Sequence, residues 1–310
     1  MKRFGLAFAG SVLVTIVTCM PTVSTTDKHA LGKRDDFSYV FSTFRASDQQ
    51  TDHEVTKLDI YVSTSGVDFS EYAMDTYKPA SGLVRDPSIL KIASTYYVAH
   101  TTDWNGNTLG VIKSTKLKDW SAVTTITLDD DVKKAWAPEF FYDTDGSVYI
   151  FVSLKTSDDP FHAYILSSQS DDMSKWSTAE KLNVDDNDKG SSQPHIDMFP
   201  LYVSSDSEYP YHAFQKNEDE KHIEQLHSKS LKGPWEYMDG FTNDWAGWGK
   251  EEGPAVTTLP DGKYILWMDN MKGNFAYTTT SDLNNKDSYS DKTSMPVHQA
   301  TFRHGTVIRI

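Results

Sequence analysis

One block recurs five times along this chain: a charged or polar residue beside Pro or Gly, running into an apolar strand. The copies are Arg85-Asp86-Pro87-Ser88-Ile89-Leu90, Trp136-Ala137-Pro138-Glu139-Phe140-Phe141, His195-Ile196-Asp197-Met198-Phe199-Pro200, Glu251-Glu252-Gly253-Pro254-Ala255-Val256 and Arg303-His304-Gly305-Thr306-Val307. With Asp86, Glu139, Asp197, Glu252 and His304 as markers, the intervals are 53, 58, 55 and 52 residues. After three of the copies a similar tail returns, a Ser followed by Leu or Met and then Trp, ending at Trp120, Trp176 and Trp235. Four strands and their turns take roughly 40–50 residues, the size of one propeller blade.

The text between the markers agrees. Short β-rich runs dominate (Phe37 to Phe44, Leu58 to Ser63, Tyr96 to His100, Ser147 to Ser153, Tyr209 to Phe214, Lys263 to Met268, Thr306 to Ile310). Turn signals such as Asp145-Gly146 and Asp261-Gly262 follow them, and no long stretch has a helical period. The expected fold is all-β, a single five-bladed propeller over 36–310. Strands before the first marker and the strand at His304 would complete one blade from both chain ends. The five markers would then sit at equivalent positions, at the starts of the strands that line the central channel, and converge on one mouth.

The first residues read as an address. Lys2 and Arg3 precede an apolar run from Phe4 to Val17, then a small and polar zone from Thr18 to Thr26. That order is the n-region, h-region and cleavage zone of a secretory signal peptide, placed at 1–25, and the apolar run is too short to span a bilayer comfortably. Lys33-Arg34 is a dibasic pair that would end a propeptide at 34; an ordinary charged pair in a leader reads equally well. The single Cys, Cys19, falls inside the signal, so the mature chain carries no disulfide and relies on packing.

The chain's net charge is −14, and residues 1–34 hold five Lys/Arg against one Asp, so the remainder has 25 basic and 43 acidic side chains, net −18. Such a surface repels phosphate backbones and anionic membranes, so neither nucleic acid nor a membrane is an expected partner. A monomer is expected.

Three carboxylates in blade register suit one chemistry. Hydrolysis of a glycosidic bond needs an acid for the leaving oxygen and a base for water. Asp86, Asp197 and Glu252 can divide that work. Metal-hydrolase chemistry finds no frame: His222 and His227 are five apart without a His-Glu-x-x-His pattern, and the stretch Asp185 to Gly190 puts Lys189 where a calcium loop needs a ligand. No Gly-x-Ser-x-Gly elbow or phosphate loop occurs.

In Arg85-Asp86-Pro87, Trp136-Ala137-Pro138-Glu139, Ile196-Asp197, Glu252-Gly253-Pro254 and Arg303-His304-Gly305, in that order, the sequence resembles glycoside hydrolase family 43 over nearly all of the mature chain. The resemblance implies a five-bladed propeller that inverts the anomeric centre, with Asp86 as general base, Asp197 as the acid that tunes and orients its partner, and Glu252 as general acid. His304 matches a channel histidine that binds water or a central cation in some members, so a structural Ca²⁺ is a candidate there, with no cofactor required. The sequence departs from the family where Glu139 stands for a frequent Asp and Met198 for a frequent Pro. Invertase-type relatives share Arg-Asp-Pro but need an Asn-Asp-Pro and a Glu-Cys, and neither is present.

Candidate substrate contacts are Trp104, Trp136, Trp245 and Trp248, as platforms for sugar faces, with Arg303 and Glu139, the last of which reads equally well as a structural hydrogen bond to a neighbouring blade. Trp120, Trp176 and Trp235 recur at equivalent blade positions and read as packing. Glu251 reads as solvated. The implied substrate is an arabinose- or xylose-containing plant-wall polysaccharide (arabinan, arabinoxylan or their oligomers) attacked by a secreted enzyme. An α-L-arabinofuranosidase leads, followed by β-xylosidase and endo-arabinanase. A sugar-binding propeller without turnover is the competing class.

Overall fold

The computed structural model describes residues 37–45, 56–80, 82–185, 193–238, 249–271, 275–295 and 302–310. The signal and propeptide region, Trp245 and Trp248 lie outside the described residues.

Five separate sheets follow one another along the chain. The first blade holds β1 (Tyr39–Phe44), β2 (Leu58–Ser63) and β3 (Ser70–Tyr77). The second holds β4 (Arg85–Ile92), β5 (Thr95–Thr101), β6 (Thr108–Ser114) and β7 (Thr124–Thr127). The third holds β8 (Val132–Tyr142), β9 (Val148–Thr156), β10 (His162–Ser167) and β11 (Glu180–Lys181). The short β12 (Val184–Asp185) comes next, then β13 (His195–Tyr202), β14 (Tyr211–Asn217), β15 (His222–Ser228) and β16 (Trp235–Tyr237) of the fourth blade. The fifth holds β17 (Glu252–Thr258), β18 (Tyr264–Asp269), β19 (Phe275–Thr280) and β20 (Thr293–Ser294), and the chain ends in β21 (Thr306–Arg309).

β21 returns to the first blade and pairs antiparallel with β1, from Tyr39 opposite Arg309 to Ser42 opposite Thr306. The innermost strands β4, β8, β13, β17 and β21 touch in succession, and β21 also touches β4, which closes the ring. The all-β propeller, sealed by both chain ends, is therefore the observed architecture. One addition was not legible: β12 joins the fourth blade as a fifth strand, parallel to β16 at its outer edge.

The core is divided among the seams between blades. One cluster packs the first blade on the second through Val40, Ile60, Ile89 and Val98, another packs the second on the third through Val111, Phe140 and Val152, and a third packs the third on the fourth through Phe151, Leu226 and Trp235. The largest joins the fourth, fifth and first blades around Phe41, whose ring lies 5.2–5.7 Å from those of Phe69, Phe275 and Phe302. Aromatic and β-branched side chains fit these half-flat faces, and edge-to-face ring pairs add to their burial. Trp120, Trp176 and Trp235 all pack in these seams, as their repetition suggested.

Candidate active site

Four inner strands carry the same irregularity. Pairing skips two residues between Arg85 and Ser88, Trp136 and Glu139, Ile196 and Phe199, and Glu252 and Ala255. Inside each bulge one residue takes a left-handed φ: Asp86 at 49°, Ala137 at 50°, Asp197 at 61° and Gly253 at 55°. Asp and Gly are among the residues that adopt this region most readily, and a bulge re-aims a side chain out of the sheet. Pro follows in three of the four, at a position where the ladder is already broken.

This register corrects the equivalence of the markers. Asp86 and Asp197 occupy the same bulge position, whereas Glu252 stands one residue earlier and Glu139 two residues later than that position in their own blades. The even spacing in sequence located the blade starts but not the side chains within them.

Asp86, Asp197 and Glu252 nevertheless line one cavity of about 260 Å³, with Arg85, Trp104, Trp136, Lys216, Arg303 and His304. Asp86 Oδ2 accepts a hydrogen bond from Thr101 Oγ1 at 2.9 Å, and that oxygen in turn accepts from Ala137 N. Asp197 Oδ2 accepts from Gly253 N at 3.1 Å. His304 stands between the two aspartates, its Nδ1 3.6 Å from Asp86 Oδ1 and 3.7 Å from Asp197 Oδ2. The carboxylate of Glu252 is held from both sides, Oε2 by Lys216 Nζ at 2.7 Å and Oε1 by Arg303 Nη2 at 2.6 Å. Arg303 also donates to Asp269 at 2.7 Å.

These contacts set the charges. Burial pushes the Asp197 carboxyl up to about 6, against the pull of His304 and Lys216. Burial acts the same way on Glu252, but Lys216 and Arg303 outweigh it and hold that carboxyl down at about 2. Burial works against a charge on His304, yet Asp197, Asp86 and Glu252 prevail and raise its pKa. Burial thus favours the protonated form of Asp197, while Lys216 and Arg303 favour the ionised form of Glu252. The general-acid role expected of Glu252 needs its protonated form, which Lys216 and Arg303 oppose.

Over residues 35–310 the sequence matches the family 43-related model described as "Probable glycosyl hydrolase domain". The chain belongs to that family. Solved structures with the same fold include an alpha-L-arabinofuranosidase from Lactobacillus brevis, 19% identical, covering 68% of this chain and 72% of that one at a TM-score of 0.52. An endo-arabinase from Bacteroides thetaiotaomicron is 16% identical, covering 73% and 94% at 0.54, and a xylan beta-1,4-xylosidase from Bacillus halodurans is 13% identical, covering 87% and 56% at 0.53. No curated protein matches the sequence.

In this family 43-related chain the remaining candidates fall out differently. Trp104 and Trp136 both reach the cavity, but their rings are already engaged: Trp136 lies against Trp104 at 5.6 Å and Phe161 at 4.7 Å, and Trp104 carries the Arg85 guanidinium at 4.2 Å. They form walls more than open platforms. Arg303 lines the cavity, bound to Glu252 and Asp269.

Glu139 does not line the cavity. It is buried, and its two oxygens accept from Ser88 Oγ at 2.8 Å and Thr306 Oγ1 at 2.7 Å. One carboxyl thereby ties the second, third and first blades together at the axis. Burial pushes it up to about 7. Glu251, expected in solvent, is fully buried and ion-paired with Lys292 at 2.6 Å, with its pKa pushed up by burial to about 7.

Among the described residues no group of three or more His, Cys, Asp or Glu side chains is arranged to hold a metal ion. An imidazole that faces two carboxylates as a proton carrier is also a poor donor for a hard cation. Near His304 the oxygen donors are Asp86 and Asp197, so an ion there would be held chiefly through water.

Sequence reasoning missed Lys216, Thr101 and Asp269. All three are buried on second strands of their blades (β14, β5, β18), facing inward among apolar neighbours. A Lys inside the buried run Phe214-Gln215-Lys216-Asn217 was the available signal.

Proposed function

We propose that this protein is a secreted, inverting glycoside hydrolase that releases arabinose or xylose from plant-wall polysaccharides or their oligomers, with α-L-arabinofuranosidase activity foremost. The observation that carries this is the meeting of Asp86, Asp197 and Glu252 in one cavity beside Trp104 and Trp136. Asp86 takes a proton from water as the water oxygen attacks the anomeric carbon; Glu252 gives a proton to the departing glycosidic oxygen. The products are an alcohol and a sugar hemiacetal of inverted configuration. Glu252 must be protonated for this step. Asp197, which accepts a hydrogen bond from Gly253 N beside Glu252, is the carboxyl that tunes and orients this acid.

A panel of chromogenic α-L-arabinofuranosides, β-D-xylosides and dye-linked arabinan decides among these substrates. Proton NMR during turnover decides the stereochemistry: the opposite anomer must appear first, and initial retention rejects the assignment.

One observation favours a second reading, a sugar-binding propeller without turnover: the Glu252 carboxylate is clamped by two cations. Saturable binding of arabino-oligosaccharides with no hydrolysis of any substrate in the panel would select it.

Secretion rests on the charged, apolar and small-residue order of the first 25 residues. N-terminal sequencing of extracellular protein should find these residues gone.

A further inference from the structure

Arg85 is a buried cation that makes no ion pair among the described residues; Asp86, Glu252 and Asp269 act on it only at longer range. It is 8% exposed and lines the cavity, yet no ion pair or hydrogen bond engages its guanidinium among the described residues. It is held instead by two rings, its central carbon 4.6 Å from the Phe44 centroid and 4.2 Å from that of Trp104. The contrast with the other cavity cations is direct. Lys216 makes ion pairs with Glu218 and Glu252, and Arg303 with Glu252 and Asp269. Buried guanidinium groups are normally matched by acceptors, because five unsatisfied N–H donors are costly to desolvate. Aromatic faces stabilise the cation's charge but leave its in-plane donors without acceptors.

We propose that Arg85 is the residue that reads the terminal sugar, donating its in-plane N–H groups as a fork to two adjacent hydroxyls of a neutral glycone. The rings of Phe44 and Trp104 fix the plane of the fork, so a bound sugar meets donors already oriented. The class is neutral because the cavity's carboxylates Asp86, Asp197, Glu218 and Glu252 already face Lys216, Arg303 and His304, so its charges are close to balance without one from a ligand. A uronic acid would bring a fifth carboxyl among them, and Asp86 follows Arg85 directly in the chain. The inference rests on the sugar-hydrolase reading of this cavity and adds to it which side chain recognises the glycone.

The test uses binding, so that it stands apart from turnover. L-Arabinose, D-xylose, D-galactose and D-galacturonic acid are titrated into the purified protein and followed by tryptophan fluorescence, since Trp104 lies on Arg85, with calorimetry as a second measure. The wild type is expected to bind at least one neutral sugar. Arg85→Lys, which keeps the charge but not the fork, and Arg85→Met should each weaken that binding at least tenfold. Thermal melts of both variants verify that they fold; a variant that does not fold is replaced by Arg85→Gln, for which the same loss is expected. The proposal is overturned if the Lys variant binds as the wild type does, if no neutral sugar binds, or if galacturonic acid binds tenfold more tightly than galactose. Loss of binding in the variants with no hydrolysis by the wild type would sustain this assignment while removing the catalytic one.

Discussion

Lys216 Nζ lies 2.7 Å from Glu252 Oε2 and 2.7 Å from Glu218 Oε2, so one buried ammonium is divided between two carboxylates of the same cavity. Removing it leaves Glu252 with Arg303 alone and makes its protonated form more favourable. In an inverting hydrolase the activity falls as pH rises past the point where the acid pair loses its proton. For the wild type that limb should lie near pH 6, the value at which Asp197 holds its proton. In Lys216→Met it should move upward by about 1–3 units. The pH profile of kcat/KM measures it, and an unmoved limb would show that Lys216 does not govern the proton.

Base and acid should separate by leaving group. Asp86→Asn should lose about 10²–10⁴-fold on every substrate, since water needs a base whatever departs. Glu252→Gln should lose as much on oligosaccharides but far less on aryl glycosides whose phenolate leaves without a proton. Near-normal turnover by Asp86→Asn would remove the base assignment.

Glu139 makes the stability of the ring depend on pH. Its pKa rises from 4.5 in an unfolded chain to about 7 in the fold, so between these values the unfolded state gives up a proton that the folded state keeps. The unfolded state is thereby favoured as pH rises, and stability falls from pH 4.5 to 7 and then levels. Glu251, also raised to about 7, adds in the same direction. Glu252, lowered to about 2, acts oppositely: it contributes stability above pH 4.5 that is lost as pH falls toward 2. The Glu139 contribution is therefore greatest below pH 4.5 and is lost by about pH 7. In Glu139→Gln the amide keeps partners in Ser88 and Thr306, and the decline toward pH 7 should shrink by about 2–3 kcal/mol. Thermal melts at pH 4.5 and 7.5 compare the two proteins.

Gly253→Ala should impair the site through a contact. A Cβ at 253 would fall 2.5 Å from His304 Cγ. The left-handed φ adds strain of its own, which Ala137 shows a side chain can bear at 50° in the matching bulge. The ring of His304 must shift, and with it the partner of Asp86 and Asp197. Activity should fall at least tenfold while Ala137→Gly, the control in the sister bulge, stays near wild type. Equal activity in Gly253→Ala would mean that the placement of His304 does not matter.

Blade count, order and closure were legible because each depends on a repeated pattern, and repetition survives the variation of single residues. The catalytic candidates were legible for the same reason: Asp86 and Asp197 sit at bulges that Pro and β-branched neighbours announce. Individual partners were not. Glu139 looks like a member of the carboxylate series, yet two residues along a bulged strand turn a side chain from the cavity to the axis. Glu251 was read as solvated because its neighbour fits the motif, but both side chains of the pair are withdrawn from water, one to Lys292 and one to Lys216 and Arg303. The hold on the Glu252 carboxylate depends on Lys216, which lies 36 residues away in sequence.

The pairing of β1 with β21 decides how the ring responds to tension. Tyr39, at the start of the first strand, lies opposite Arg309, at the end of the last. A pull on the two ends therefore acts at one edge of this ladder, across its rungs, and parts them one after another like a zip. Were the two strands parallel, the same pull would run along the ladder and load all the rungs at once. The joint that completes the circle is thus its mechanically softest seam: stretched from its ends, the molecule should open at the first blade, with the other four still folded.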